Sequence, residues 1–258
     1  MPVSKEADEL FFNSLQNFEN QGWPFHIADP EIWRYRDRLL VPGGRALDLG
    51  IGYGRNSLPL ALWGMPVIGY DLDQHAVDLM NKMAAERALT ISSHVADVTK
   101  LDLSGQQFDT VLLSSLFIHF PNREQALEVF DKAIDALKPG GHLYLRALGK
   151  ADDAYEQFLS MSKYNPYSYQ QIDEDVLIAP CGCSGEMQLE PHLFFDQNEL
   201  VQRGIQHDLR IVHSQTVPQT GAGNVMFGED WQVESSPYKT NGMITMIGQK
   251  KETGSGEE

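Results

Sequence analysis

Residues 45–58 read RALDLGIGYGRNSL. The apolar run Ala46 to Leu49 has strand character and carries one acid, Asp48, two residues ahead of Gly50. Gly50, Gly52 and Gly54 then fall at alternate positions. Glycine lets the backbone turn sharply and lets a ligand lie against the main chain with no Cβ in the way. Residues 56–63 read as a helix with Pro59 in its first turn, its unpaired N–H groups facing the ligand. The dinucleotide fingerprint is G-x-G-x-x-G. Counted from Gly50, its third glycine falls on Arg55; counted from Gly52, it falls on Ser57. Neither register fits.

Outward from this turn, strands are expected over 66–70, 91–95, 108–114 and 142–148, with helices over 75–88 and 123–137. Strands alternating with helices imply βαβ units and a parallel sheet covered on both faces. Asp71, Asp97 and Ser114 mark the ends of the second, third and fourth strands, where open α/β sheets bind ligands. Upstream, helices are expected over 5–20 and 30–40, the second with Asp29 as N-cap and Pro30 at its first helical position. Downstream, residues 151–162 read as a helix and 163–192 as an irregular insertion. A helix over 197–203 follows. The β-rich runs 209–217 and 243–249 are separated by a long glycine-containing loop.

The chain has 36 acidic and 20 basic residues, a formal net charge of −16. That excess argues against neutralising nucleic-acid phosphates, which needs clustered Lys and Arg, and against docking on an anionic membrane. No run approaches the ~18–20 apolar residues of a membrane span. The opening MPVSKEADEL lacks the apolar centre of a secretory signal. The two cysteines, Cys181 and Cys183, are too few for a disulfide framework. A cytoplasmic setting is expected. Oligomeric state leaves no mark in the sequence.

An acid two residues before G-x-G-x-G resembles motif I of class I S-adenosylmethionine-dependent methyltransferases. The blocks VIGYDLD, HVADVTKLDL, FDTVLLSSLFIHF and LKPGGHLYL extend that resemblance from Arg45 to Leu148. The run Gly54 to Leu58 is similar to the tellurite-resistance methyltransferase group. The resemblance implies an α/β, Rossmann-like seven-stranded sheet, mostly parallel with a C-terminal antiparallel hairpin, helices lying on both faces. Residues 1–42 would form a helical cover and 43–150 the cofactor-binding core. Residues 151–250 would supply the substrate-side insertion and hairpin, and 251–258 a tail. It implies S-adenosyl-L-methionine as cofactor. Asp48, Gly50 and Gly52 would hold its methionine end, with Gly54 shaping the turn. Asp71 would bind the ribose, with Leu72 beside the adenine. Asp97 would accept from the adenine amino group, with Val98 beside it, and Ser114 would line the site near the sulfonium.

Methyl transfer from a sulfonium is an in-line displacement of an already activated group, so alignment and exclusion of water carry much of it. A base is needed only for an acceptor protonated at rest. His119, just past the fourth strand, suits that task; it equally suits shaping the pocket. Arg55 either binds an anionic acceptor or forms a salt bridge, and Arg146 either contacts substrate or pairs with an acid. Trp23, Phe25, His26, Trp33 and Tyr35 either cover the cofactor, Tyr35 reaching the acceptor, or pack on the sheet. Tyr155, Tyr164, Tyr167 and Tyr169 suit either a lid over the acceptor pocket or a small satellite core. Cys181, Cys183 and His192 fall short of the four ligands of a closed zinc site, so no metal is expected. The expected activity is methyl transfer to a small-molecule O, N, S or metalloid acceptor. The alternatives are a non-catalytic S-adenosylmethionine binder and a nicotinamide-dependent oxidoreductase.

Overall fold

The computed structural model describes residues 28–150, 153–164, 170–181, 188–218 and 242–252. The expected helix over 5–20, the loop between the last two β-rich runs and the end of the tail lie outside them.

The sheet is built from apolar runs that bury both faces, as parallel strands between helices do. Its parallel part comprises β1 (Ala46–Leu49), β2 (Val67–Asp71), β3 (Ile91–Val95), β4 (Phe108–Ser114) and β5 (Leu137–Gly149), in the order β3-β2-β1-β4-β5. The order reverses between β1 and β4, and ligands of such sheets bind at the carboxyl ends of that switch point. β10 (Gly242–Lys250) runs antiparallel to β5, from Met243 against Leu148 to Gln249 against His142. β9 (Leu209–Pro218) pairs antiparallel with β10. These seven strands are the mostly parallel sheet with a C-terminal hairpin that the sequence implied.

Side chains alternate between two layers. Leu47, Leu49, Val111, Leu113, Leu143 and Leu145 pack under α5 (Arg123–Asp135) and α7 (Gln197–Gln206). Ala46, Leu112, Tyr144 and Ile247 pack under α1 (Pro30–Arg34), α2 (Arg36–Leu39), α3 (Ser57–Leu62) and α4 (Gln74–Glu86). Asp73, Asn122 and Asp196 cap α4, α5 and α7 through side-chain bonds to backbone N–H groups. Two readings need correction upstream. The helix expected over 30–40 breaks at Tyr35 into α1 and α2. Asp29 occupies the N-cap of α1 but makes no side-chain cap bond.

The region read as irregular contains a second small sheet. After α6 (Asp153–Tyr164), β6 (Gln170–Gln171), β7 (Val176–Cys181) and β8 (Gln188–Phe195) form an antiparallel unit, with Val176 opposite Leu193 and Cys181 opposite Gln188. Pro180 and Pro191 break the alternation that would have exposed these strands in the sequence. β5 runs past the end of β4, and its last two residues take up β8 in parallel, Leu148 against Phe194 and Gly149 against Phe195. Tyr155 buttresses the unit: its ring meets Phe194 edge-on with centroids 5.2 Å apart, and its hydroxyl donates to Glu174 O at 2.6 Å. Tyr167, Tyr169, Cys183 and the side chains of Tyr164 and Cys181 lie outside the description. Among the described residues no helix is long and apolar enough to cross a membrane.

Candidate active site

The glycine turn hangs from the end of β2: the N–H groups of Gly50 and Ile51 both donate to Tyr70 O, at 2.8 and 3.0 Å. Its three glycines answer different demands. A Cβ on Gly50 would lie 2.8 Å from Leu116 Cδ1, and one on Gly54 would lie 2.2 Å from Met80 Sδ. Those two are fixed by packing within the protein. At Gly52, with φ +49°, the nearest atom to an added Cβ is Asp71 Oδ2 at 4.0 Å. Gly52 therefore faces open space on the side of β2. Its N–H donates to Asp71 Oδ2 at 2.7 Å, and Asp71 Oδ1 accepts from Asp73 N at 3.0 Å. Leu72, 71% exposed, stands beside them at the rim.

Each polar residue after the turn has a buried partner. Ser57 Oγ donates to Asp48 Oδ2 at 2.6 Å. Asn56 Nδ2 donates to Asp29 Oδ2 at 2.8 Å, and Asn56 Oδ1 accepts from Asp29 N at 2.9 Å. Arg55 Nη1 lies 2.9 Å from Asp29 Oδ1. Asp29 also accepts from Ser114 Oγ at 2.8 Å, from Tyr144 OH at 3.0 Å and from Arg146 Nη1. One fully buried carboxylate thus joins the chain ahead of α1, the glycine turn, β4 and β5. In the sequence alone Asp29 has the form of a helix cap. The signal that marked its partners was the Arg55-Asn56-Ser57 run itself, three polar residues on the way into a buried helix.

The electrostatics separate the two buried acids. Burial pushes the Asp29 carboxyl up, but Arg146, Arg55 and the Ser114 and Asn56 bonds outweigh it and hold it at about 2. Among the described residues no cation is bonded to Asp48. Burial, helped by the nearby charges of Asp71 and Asp29, raises it to about 7 against the pull of Ser57 and Arg55. The crevice therefore holds one committed anion and one carboxyl poised near neutrality.

Residues 46–141 match a family model described as a methyltransferase domain. A ubiquinone biosynthesis O-methyltransferase of Coxiella burnetii (strain Dugway 5J108-111) is 27% identical over 157 residues, 59% of this chain and 66% of that protein. The chain thus spans just under two thirds of that relative's length. Among solved structures, an SAM-dependent methyltransferase from Methanosarcina mazei superposes with a TM-score of 0.64 at 20% identity, covering 88% of this chain and 99% of that one. TehB from Haemophilus influenzae superposes with a TM-score of 0.58 at 17% identity, over 87% of this chain and 63% of that one. At these identities the two structures show the fold. Residues 46–141 thus match a methyltransferase domain, on a fold shared with S-adenosylmethionine-dependent methyltransferases.

On this methyltransferase-like fold, four of the residues singled out in the sequence, Asp48, Ser114, Arg55 and Arg146, converge at or around Asp29 and the glycine turn. Arg55 and Arg146 both take the salt-bridge option, sharing Asp29. Asp97 sits apart at the end of β3. Its carboxylate accepts from Thr99 N at 3.0 Å and Thr99 Oγ1 at 2.6 Å, and pairs with Lys100 Nζ at 2.8 Å. The Lys100 and Thr99 bonds lower it to about 2. Val98 beside it is buried. His119 ends a single 3-10 turn, Phe117–His119, with its Nδ1 3.6 Å from Glu190 Oε2 on β8. Glu190 was invisible as a partner because 71 positions separate it from His119 in the chain. His192, on the same strand, has its pKa lowered by burial. Among the described residues no group of three or more His, Cys, Asp or Glu is arranged to hold a metal ion. Tyr35 stacks on His213 of β9 with ring centroids 4.9 Å apart, and Trp33 meets Trp63 edge-on at 5.7 Å. Trp23, Phe25 and His26 lie outside the described residues.

Proposed function

We propose that the protein transfers a methyl group from S-adenosyl-L-methionine to a small-molecule acceptor by in-line displacement. The open space over Gly52, bordered by the Asp71 carboxylate, carries this reading. The two groups fit a nucleoside that lies on the main chain and presents hydroxyls to an acid. When bound, the cofactor supplies a methyl group already activated by a sulfonium.

The chain's residues then bind, orient and exclude water. Asp71 would hold ribose hydroxyls, Leu72 and Val98 would flank the adenine, and Asp97 would accept from its amino group. Asp48, Gly50 and Gly52 take the methionine end, Gly54 holds the turn against α4, and Ser114 lines the site near the sulfur. In this reading residues 43–150 are the cofactor half, 1–42 its cover and 151–250 the acceptor side, in a cytoplasmic protein. The acceptor atom is O, N, S or a metalloid. The O-methyltransferase name of the Coxiella relative favours oxygen. For a hydroxyl acceptor, His119 takes the proton, its imidazole oriented by Glu190.

Titration calorimetry with S-adenosylmethionine and S-adenosylhomocysteine tests the reading. Dissociation constants between about 1 μM and about 1 mM are expected. Absence of heat with both ligands would overturn it.

A further inference from the structure

On the face of the sheet that α1 and α2 cover, one row of side chains runs across three strands in register: Ser114 on β4, Arg146 on β5 and Thr245 on β10. Arg146 is buried and gives Nη1 to Asp29, yet among the described residues its Nε has no hydrogen-bond partner. Thr245 is fully buried, and its Oγ1 has no partner among the described residues either. Native folds rarely leave buried polar atoms unpaired, and two on directly opposed residues of neighbouring strands mark a place built for something else.

We propose that Arg146 and Thr245 anchor a carboxylate of the methyl acceptor. This deepens the methyltransferase reading and rests on it. The chemistry of the two groups selects the ligand. Nε–H lies on the side-on edge of the guanidinium, which carboxylates take, and guanidinium has donors only. The Thr245 hydroxyl is a donor as well as an acceptor. A group with two acceptor oxygens satisfies both as donors, and a permanently charged donor prefers those oxygens anionic. Asp29 does not meet that need, because its one carboxylate is divided between Arg55 and Arg146 as well as Ser114, Asn56 and Tyr144.

The row also sets the scale of the acceptor. Adjacent strands lie about 4.8 Å apart, so a carboxylate held between Arg146 and Thr245 is roughly 5–10 Å from Ser114, the residue placed near the sulfur. The class that fits is a small hydroxy-, amino- or thio-acid with its nucleophile a few bonds from the carboxylate.

The test follows the Arg146 Nε–H signal by nitrogen–proton NMR, identified by its loss in Arg146→Lys. Acetate and 4-hydroxybenzoate are titrated at pH 7.5 against their uncharged counterparts acetamide and methyl 4-hydroxybenzoate, with and without S-adenosylhomocysteine. The acids are expected to shift the signal saturably below about 50 mM, and the amide and ester are not. Thr245→Val buries no charge and keeps the shape, and it is expected to weaken the acids at least about 5-fold. No saturable shift, an equal response to the uncharged probes, or undiminished binding by Thr245→Val overturns the proposal. Absence of S-adenosylhomocysteine binding in the same samples overturns the methyltransferase reading instead, and the acid site is still judged on its own signal.

Discussion

Asp29 and Arg146, 117 positions apart in the chain, close a buried ion pair on the face of the sheet packed under α1 and α2. The pair makes the segment ahead of α1 part of the crevice wall. Removing one member of such a pair strands the other without solvent or partner, which costs more than the pair itself contributes.

Asp29→Ala leaves Arg146 charged and buried and removes the acceptor for Ser114, Tyr144 and Asn56. The expected loss of stability is about 3–5 kcal/mol, read from urea unfolding. The acid is held at about 2, below its ordinary 3.8. Its contribution is therefore complete above about pH 4 and disappears as pH falls through about 2. A variant unfolding at the wild-type midpoint would show that the pair is not closed in solution.

Asp48 has the opposite sign. Its folded value of about 7 lies above its ordinary 3.8. Between those values the folded protein holds a proton that the unfolded chain has released, so stability falls as pH rises from about 4 to about 7. Three units correspond to about 4 kcal/mol at most, and water reaching the crevice reduces this to about 2 kcal/mol. Asp48→Asn is expected to flatten that slope and to weaken S-adenosylhomocysteine binding. Thermal unfolding across pH 4–8 reads the first effect; an unchanged slope would place Asp48 in a wetter setting.

Gly52→Ala and Gly54→Ala separate ligand contact from packing. Alanine at Gly52 meets no protein atom closer than 4.0 Å, so it pays only for its positive φ, about 1 kcal/mol. Its methyl group does enter the proposed cradle, and S-adenosylhomocysteine affinity should fall at least about 10-fold. Alanine at Gly54 runs into Met80 Sδ and should destabilise the fold by about 2–3 kcal/mol. Equal stability losses in the two variants would contradict the distinction.

Arg123 at the start of α5 binds Asp175 Oδ2 at 2.6 Å and also Glu199, while Lys150 reaches Asp175 from the other side. The network ties the loop before β7 to α5 and α7. It is partly exposed, so Arg123→Ala is expected to cost only about 1–2 kcal/mol globally. Hydrogen exchange of the β7 and β8 amides should accelerate about 10-fold, with β1 and β4 unchanged. Uniform acceleration across all strands would mean that the insertion is not held locally.

The parallel half was readable because its signals are short-range. Glycines at alternate positions, acids at strand ends and helices between strands all lie within a few residues of one another. The segment ahead of α1 was harder to read. Asp29 followed by Pro30 has the form of a helix cap, and nothing nearby reveals that its carboxylate turns toward residues 55, 114, 144 and 146. The pairing of His119 with Glu190 and the ladder of β7 with β8 are long-range in the same sense. A buried hydroxyl such as Thr245 gives no sign at all until its register with Arg146 is known.

β5 meets the insertion through only two ladder positions, Leu148 with Phe194 and Gly149 with Phe195. Everything that recognises the cofactor in the proposed reading is wired to β1 through β4. A lineage of such proteins can therefore exchange the three-stranded flap for another, keeping little more than the two phenylalanines that seat it. In that reading, new acceptors that keep the carboxylate held by Arg146 and Thr245 would be acquired by replacing an appendage, while the cofactor half is inherited intact.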